Sequence, residues 1–192
     1  MADSDIAGLQ SATALSPTDV FPVQQGGSSV LKATGAQLRA FTSSIGLFKA
    51  RNNTGAGCDA IASGVATKLT AASLNVEDVD VSGWYDQANA RYTPLVSGWY
   101  EIGGSCVVNN LTDQSKYMLF AYKNGGTDQI LLSRAAGSGQ NAFGLAGIGY
   151  IYLNGATDYM EIWVMQQTGS SLSTYAQSAG NLSFFGRLLF AA

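Results

Sequence analysis

Apolar and polar residues alternate along the stretch that follows Gly98, and this period of two predicts a β-strand that runs to Val108 with one buried side. The positions on the predicted inner side are apolar: Tyr100, Ile102, Cys106 and Val108. The positions on the other side are polar or small: Glu101, Gly103 and Ser105. A strand of this kind forms one half of a β-sandwich core. The segment from Ala90 to Gly98 predicts a shorter strand and a turn containing Pro94.

From Ile45 onward the same pattern recurs in short segments that are separated by turns rich in Gly, Ser and Asn. Besides the two strands above, the predicted strands cover residues 47–51, 67–76, 81–86, 117–123, 130–134, 142–153, 159–167 and 182–190. The sequence Asn124-Gly125-Gly126 predicts a tight hairpin, because its central residues accept positive φ. About ten short strands without a helical period predict an all-β sandwich or barrel.

Several of these strands are apolar on both sides. The last predicted strand has apolar residues on one side and on the other, namely Leu182, Phe184, Leu188 and Phe190 against Phe185 and Leu189. An antiparallel sheet in a sandwich normally leaves one side in water, so a strand that is apolar on both sides needs a second cover. We expect another copy of the chain to provide that cover.

Residues 1–44 differ from the rest and are too few to enclose a core of their own. Their pattern predicts an extended segment at 20–23, a short strand at 29–32 and one helix at 35–41. This segment therefore docks on a partner, on its symmetry mates or on the main domain. The apolar positions that we expect to make these contacts are Val20, Phe21, Pro22, Val23, Leu38 and Phe41.

Composition argues against several classes of function. Charged residues make up 12% of the chain, the net charge is -3, and the 10 basic residues are scattered, which argues against nucleic-acid binding through phosphates. The chain contains no histidine, so the commonest general base, metal ligand and partner of a nucleophilic Ser or Cys is missing. We therefore expect that the protein is not an enzyme and that it has no catalytic residue, cofactor or metal.

The two cysteines, Cys58 and Cys106, are too far apart for a CxxC redox or zinc signature. Buried free thiols are the favoured interpretation, and a disulfide between them stays open. The first ten residues carry two Asp and no basic residue, unlike a signal peptide. The longest apolar run, residues 143–153, is too short for a bilayer and contains three glycines, so we expect no membrane insertion.

Three candidate sites are present in the sequence. An acidic cluster could supply oxygen ligands for Ca²⁺, although solvated loop carboxylates are the simpler interpretation of Glu77, Asp78, Asp80 and Asp86. Glu101 and Glu161 could form the carboxylate pair of a glycosidase, but nothing in the sequence brings them together. Tyr175, in the polar loop 168–181, is the candidate for surface binding because an exposed ring there could stack on a sugar.

Four short motifs follow one another in the first quarter of the chain: Ile6-Ala7-Gly8-Leu9, Ala12-Thr13-Ala14-Leu15, the run from Thr18 to Gly27, and Gln37-Leu38-Arg39-Ala40-Phe41. This series resembles the N-terminal segment of many bacteriophage and prophage fibre or appendage proteins. The resemblance implies that residues 1–44 attach the protein to capsid or tail proteins of a virion.

A longer series of motifs covers most of the remaining chain: Tyr85 to Tyr100, Tyr122-Lys123-Asn124-Gly125, Gly155 to Trp163, and Phe184 to Leu189. In order and spacing it is similar to the globular head of the complement first-component q subunit, which belongs to the same superfamily as the tumour necrosis factor heads. The resemblance implies a ten-stranded jelly roll that forms a homotrimer.

These observations together predict a structural protein of a bacteriophage-like virion, either a head fibre or a capsid decoration protein. Residues 1–44 anchor it, and residues 45–192 form a trimeric jelly-roll head that displays loops towards a host cell-surface glycan. The residues predicted to line the trimer axis are Tyr159, Trp163, Met165 and Phe185. Two alternatives stay open, namely a tail-borne receptor-binding protein and a free carbohydrate-binding, lectin-like module.

Overall fold

The computed structural model describes residues 20–25, 29–34, 46–53, 59–110, 115–126, 128–136, 142–175 and 181–192. The chain divides into two units, residues 1–44 and residues 45–192, and we refer to the second unit as the head. The described residues hold no helix with the length and apolarity needed to span a bilayer.

The first unit contains one antiparallel pair of strands, β1 (Val20–Gln25) and β2 (Ser29–Thr34). Their register pairs Val20 with Thr34 at one end and Gln25 with Ser29 at the other. The extended segment and the strand that the sequence predicts are therefore present, and each is longer than predicted. The predicted helix at 35–41, with Leu38 and Phe41, lies outside the described residues.

The described part of the head contains these strands: β3 (Phe48–Arg51), β4 (Ala60–Ile61), β5 (Thr67–Lys68), β6 (Val76–Asp80), β7 (Tyr85–Asp86), β8 (Arg91–Tyr92), β9 (Ser97–Asn109), β10 (Lys116–Lys123), β11 (Asp128–Ala136), β12 (Ala142–Asn154), β13 (Met160–Gln166), β14 (Leu172–Ser173) and β15 (Ser183–Ala191). Ten of them form two sheets, in the orders β11-β10-β13-β8-β7 and β12-β9-β15-β3-β6. Strand β5 pairs with β13 and makes the first sheet six-stranded, while β4 and β14 form a small separate pair. Along the chain, β9 lies in the five-stranded sheet, β10 and β11 in the six-stranded sheet, β12 in the five-stranded sheet again and β13 in the six-stranded sheet. Crossing between the sheets after one or two strands is the connectivity of a jelly-roll sandwich.

The core lies between the two sheets and is rich in aromatic residues. Phe48 of the five-stranded sheet stacks on Tyr92 of the six-stranded sheet, with ring centroids 4.0 Å apart. Buried tyrosine hydroxyls find backbone partners, because Tyr92 Oη donates to Gly46 O at 2.6 Å and Tyr117 Oη donates to Cys106 O at 3.0 Å. Burial raises the pKa of Tyr117 well above its usual value. Hydrogen bonds from buried hydroxyls to the backbone therefore stabilise the core together with the packing of its side chains.

The long strand β9 has the two sides that the sequence predicts. Tyr100, Ile102, Cys106 and Val108 are buried in the core. The predicted end of the strand at Val108 is one residue short of the observed end at Asn109.

Two predicted strands are wrong. The predicted strand 67–76 is interrupted, because a turn at 71–74 separates β5 from β6. The carboxylate of Asp59 fixes the chain at the start of this turn by accepting hydrogen bonds from the backbone N and the hydroxyl of Thr70, both at 2.7 Å. The predicted strand 81–86 is reduced to β7, because residues 81–83 form a turn in which Gly83 has a φ of +67°.

The last strand contains a β-bulge that changes which residues face the core. Leu188 pairs with Tyr100, but the next pair joins Phe190 to Trp99, so Leu189 is the extra residue. Phe190 therefore lies on the outer side of the sheet, opposite Trp99, and the prediction that it shares a side with Phe184 is wrong. The bulge adds one more aromatic ring to the outer face.

Candidate functional site

The outer side of the five-stranded sheet carries a row of aromatic side chains. Tyr152 on β12, Trp99 on β9 and Phe190 on β15 are direct neighbours across three adjacent strands. The rings of Trp99 and Tyr152 meet edge to face with centroids 6.2 Å apart. The alternation of β9 places Trp99 outward because Tyr100 beside it is drawn into the core.

We call this surface the exposed aromatic face and define it by six large apolar side chains that are 40% to 58% exposed: Trp99, Ile148, Tyr150, Tyr152, Leu189 and Phe190. They come from three neighbouring strands and form one patch. Monomeric soluble proteins rarely leave such a contiguous apolar patch in water, and patches of this kind mark interaction sites. The arrangement can therefore bind another protein surface by burial of apolar area.

An ion pair lies within this face. Arg187 Nε is 3.0 Å from Glu101 Oε1, in the next row of the sheet beside Tyr150. The row after that is built around Gly103, because a Cβ there would lie 2.4 Å from the ring of Phe185 and 2.8 Å from Ile148. Glycine at this position lets the two apolar side chains close over the strand.

The outer side of the six-stranded sheet is also aromatic, but its rings cover one another. Tyr122 and Trp163 stack with centroids 4.9 Å apart and planes inclined by 18°. Phe120 meets Tyr122 edge to face and is only 8% exposed, although it points away from the core. We call this surface the covered aromatic face and define it by Met118, Phe120, Tyr122, Leu131, Trp163 and Met165.

A buried carboxylate lies beside the covered aromatic face. Glu161 accepts hydrogen bonds from Lys68 Nζ at 2.6 Å, from Arg91 Nη2 at 3.0 Å and from Trp163 Nε1 at 3.3 Å. The guanidinium of Arg91 also lies over the ring of Tyr159, 3.9 Å from its centroid. These contacts hold strands β5, β8 and β13 together with two cations around one carboxylate.

The four residues predicted for the trimer axis do not share one surface. Trp163 and Met165 belong to the covered aromatic face, and Tyr159 precedes the same strand. Phe185 lies on the outer side of the other sheet, next to Gly103. Except for Phe185, which lies beside it, the predicted residues are not on the exposed aromatic face, because strand register and exposure decide which side chains lie there.

The structure separates the residues of the other candidate sites. Glu101 lies on the outer side of one sheet and Glu161 on the outer side of the other, so they do not form a pair. In the acidic cluster, Asp78 binds Arg51 at 2.7 Å, while Asp80 accepts a hydrogen bond from the backbone N of Tyr85. Among the described residues, no group of three or more Asp, Glu or Cys side chains is placed to hold a metal ion.

Three further predicted positions can be placed. Tyr175 is half-buried, and its backbone N donates to Val107 O at 2.8 Å, so it lies beside the end of β9. Cys106 is buried in the core, while Cys58 lies outside the described residues. The predicted attachment residues Val20 to Val23 belong to strand β1.

No family model matches the chain, and no curated protein matches it either. Solved structures do match its fold. Eiger TNF from S. frugiperda aligns over 77% of this chain and 94% of its own, with a TM-score of 0.51 and 11% identity. The PRD1 vertex protein P5 aligns over 75% of this chain and 96% of its own, with a TM-score of 0.52 and 17% identity. The globular domain of zebrafish complement 1qA protein has a TM-score of 0.45 and 15% identity, and covers 77% of this chain and 99% of its own.

The head is a jelly roll. At these identities the likenesses show the fold alone, and they confirm the prediction of an all-β jelly-roll sandwich. Ten strands form the main orders of its two sheets, and β5 is the eleventh. The exposed aromatic face is a contiguous apolar surface of this jelly roll, and the described residues leave its side chains 40% to 58% exposed. It is therefore the main candidate for the functional surface of the head.

Proposed function

We propose that the protein is a structural virion appendage, a head fibre or capsid decoration protein of a bacteriophage-like particle, and that its head assembles as a homotrimer. The observation that carries the proposal is the exposed aromatic face, where six large apolar side chains are 40% to 58% exposed on one sheet. Three copies that bury this face against one another satisfy its need for a cover. No catalytic step enters this function, which is mechanical.

The geometry of the face supports an interface between copies. Tyr152, Trp99 and Phe190 form an aromatic row, and aromatic residues are enriched at the cores of protein interfaces. The ion pair of Arg187 and Glu101 adjoins this row. If a neighbouring copy buries the pair, breaking it becomes costly, so the pair favours one alignment of the two copies. The predicted axis residue Phe185 lies on the same side of the sheet and adds to this surface.

Two observations support the virion location. The motifs of the first 44 residues resemble phage appendage anchors. A vertex protein, that of PRD1, has the same fold as the head. In our proposal residues 1–44, with strand β1 at Val20 to Val23, attach the protein to the particle, and the head projects from it.

A tail-borne receptor-binding protein and a free lectin-like module are the competing functions. A binding role is favoured because an interface through the five-stranded sheet leaves the outer side of the six-stranded sheet accessible to a ligand. In the first of these functions the head binds a host receptor while the protein is attached to the tail, and in the second it binds a carbohydrate as a free protein.

The proposal is tested by sedimentation of particles with two forms of the protein, the full chain and a chain without residues 1–44. We expect the full chain to sediment with particles and the shortened chain to stay in the supernatant as a trimer. A shortened chain that still decorates particles contradicts the anchor. A full chain that never sediments with heads or tails leaves the lectin-like function as the better one.

A further inference from the structure

Four cations from distant parts of the sequence lie on one side of the head. Strand register places Lys68 opposite Trp163, and Arg134 opposite Met118, on the outer side of the six-stranded sheet. Lys116 precedes Met118 by two residues and therefore points to the same side. Arg91 reaches this side as well, because it binds Glu161 there.

The carboxylates on this side do not balance these cations. Glu161, with 3% of its side chain exposed, is the shared partner of Lys68 and Arg91, whose side chains are 24% and 36% exposed. Asp86 faces Arg91 across the sheet, but its two oxygens accept hydrogen bonds from Asn89. Its negative charge still reduces the local excess, so the surplus comes from the other end of the face.

That other end has two exposed cations, Lys116 and Arg134. Within the described part of the chain neither has an ion-pair partner. Arg91 uses Nε and Nη2 for Glu161, and its Nη1 has no hydrogen bond to the described residues. The described residues of this side therefore carry a net positive charge, although the whole chain has a net charge of -3.

Between these cations lie half-buried aromatic rings. Tyr122 and Trp163 are stacked on each other, and Tyr159 is held by Arg91. Trp163 lies opposite Lys68 on the neighbouring strand, and Arg91 lies over the ring of Tyr159, so rings and cations adjoin one another. A sheet face with rings and cations along it suits a chain molecule that carries negative charges and can lie against an aromatic surface.

We propose that the outer side of the six-stranded sheet binds an acidic glycan, a sugar chain that carries carboxylates. The sugar carboxylates pair with Arg91, Lys68, Lys116 and Arg134, and a sugar ring packs against Trp163 or Tyr159. Charge complementarity selects an anion, and the rings between the cations select a sugar over an acidic peptide. The inference rests on the host-surface binding that the competing functions include, and it names the ligand class and the site of that binding.

Assembly increases the strength of such a site. An interface through the exposed aromatic face leaves the opposite sheet of each copy in water. Three weak sites on one rigid particle protein bind a repeating polymer with much higher avidity than one site. A repeating acidic polysaccharide on a host surface is a ligand of this kind.

The experiment measures binding of the full chain to oligogalacturonate and to sialylated oligosaccharides by calorimetry at low salt. The matched pair of variants is Lys68→Gln and Lys49→Gln, since both lysines pair with one carboxylate and they lie on opposite sheets. A charge-assisted hydrogen bond contributes about 1.5–3 kcal/mol, so we expect Lys68→Gln to weaken binding roughly tenfold or more. Lys49→Gln stays within about twofold of the wild type.

Two further arms separate the sugar from its charge. Trp163→Leu is expected to weaken binding to the sugars, while methyl-esterified oligogalacturonate, which has the same rings without the charges, is expected not to bind. Equal weakening by Lys68→Gln and Lys49→Gln overturns the proposal, and so does tighter binding of polyglutamate than of either sugar. Absence of binding to both sugars overturns it as well.

Failure of this proposal is distinct from failure of the virion function. Particle sedimentation depends on residues 1–44 and is expected to be unchanged in Lys68→Gln. A variant that loses sugar binding and still sediments with particles supports both proposals. A protein that binds no acidic sugar and sediments with particles retains the structural function alone. The denaturation midpoint of each variant checks that the loss is not unfolding.

Discussion

The two outer faces of the sandwich are both aromatic, but they differ in how far their own side chains shield the rings from water. On the covered aromatic face Trp163 stacks on Tyr122, and Phe120 is nearly buried beneath its neighbours. On the exposed aromatic face Trp99 and Phe190 stay open to water. A strand pattern that is apolar on both sides therefore has two physical outcomes. On one face the side chains shield one another from water, and on the other they stay exposed until a partner covers them.

The difference has a local cause in each sheet. On the six-stranded sheet, diagonal neighbours on β10 and β13 are large enough to touch, so each ring shields the next. On the five-stranded sheet, β9 places Gly103 between Ile148 and Phe185, and the ion pair of Glu101 and Arg187 separates this group from the aromatic row. The rings of this row touch at their edges, and the described residues leave them 40% to 58% exposed.

The strongest test of the comparison places a charge in the exposed aromatic face. Trp99→Glu introduces a carboxylate where we expect another copy to bind, and burial of an unpaired charge costs several kcal/mol. We expect association to weaken more than about a hundredfold, since each 1.4 kcal/mol is tenfold. Light scattering on a gel-filtration column measures the mass.

The matched control is Leu131→Glu on the covered aromatic face, since Leu131 is 49% exposed and Trp99 is 42% exposed. We expect this variant to keep the mass of the wild type. Dissociation by Leu131→Glu with an intact Trp99→Glu assembly reverses the roles of the two faces and contradicts our assignment.

The next test closes the space above Gly103. Gly103→Ala places a Cβ 2.4 Å from the Phe185 ring, and overpacking of this kind costs about 1–3 kcal/mol of unfolding free energy. Urea denaturation measures the loss. Gly144→Ala is the control on the same sheet, because its Cβ meets only a Val107 methyl at 3.3 Å. Equal losses in the two variants show that Phe185 does not depend on Gly103.

A smaller effect is expected from alkaline pH, through the core that both faces share. Burial raises the pKa of Tyr100 from 10.0 to about 12, so the folded state holds this proton more tightly than the unfolded state. The corresponding stability is fully present below pH 10 and is lost as pH rises from 10 to 12. Denaturation midpoints across this range measure it. A Tyr100→Phe variant with an unchanged slope shows that this hydroxyl does not contribute.

The smallest effect on the free energy of unfolding is expected for Arg187→Gln in the protein below its assembly concentration. Arg187 is largely exposed there, and ion pairs at a surface contribute about 0.2–1 kcal/mol. In the assembly that we propose, we expect this pair to be buried, and breaking a buried pair costs about 3–5 kcal/mol. Unfolding measured below and above the assembly concentration separates the two values. Equal values show that the pair stays in water and lies outside the interface.

The sequence predicts the sandwich well because the evidence for it is local. The alternation of Tyr100 and Ile102 with Glu101 and Gly103 requires no knowledge of other strands, and the structure confirms it. The turn at Asn124-Gly125-Gly126 is also encoded locally, and all three residues have positive φ. The turn that interrupts the predicted strand 67–76 is missed because the carboxylate that fixes it belongs to Asp59, which lies outside that segment.

The candidate surface is harder to predict because it depends on register. The pattern shows that several strands are apolar on both sides, but it does not show that Trp163 is shielded by Tyr122 while Trp99 is not. A single bulged residue, Leu189, reverses the side on which Phe190 lies. The four cations of the six-stranded sheet, at positions 68, 91, 116 and 134, form no cluster in the sequence.

The most direct test of the account is the mass of the intact chain in solution at micromolar concentration, measured by sedimentation equilibrium. Our proposal predicts a trimer, with three times the 20.0 kDa mass of one chain. A chain that remains a 20.0 kDa monomer over this range contradicts the claim that other copies cover that face.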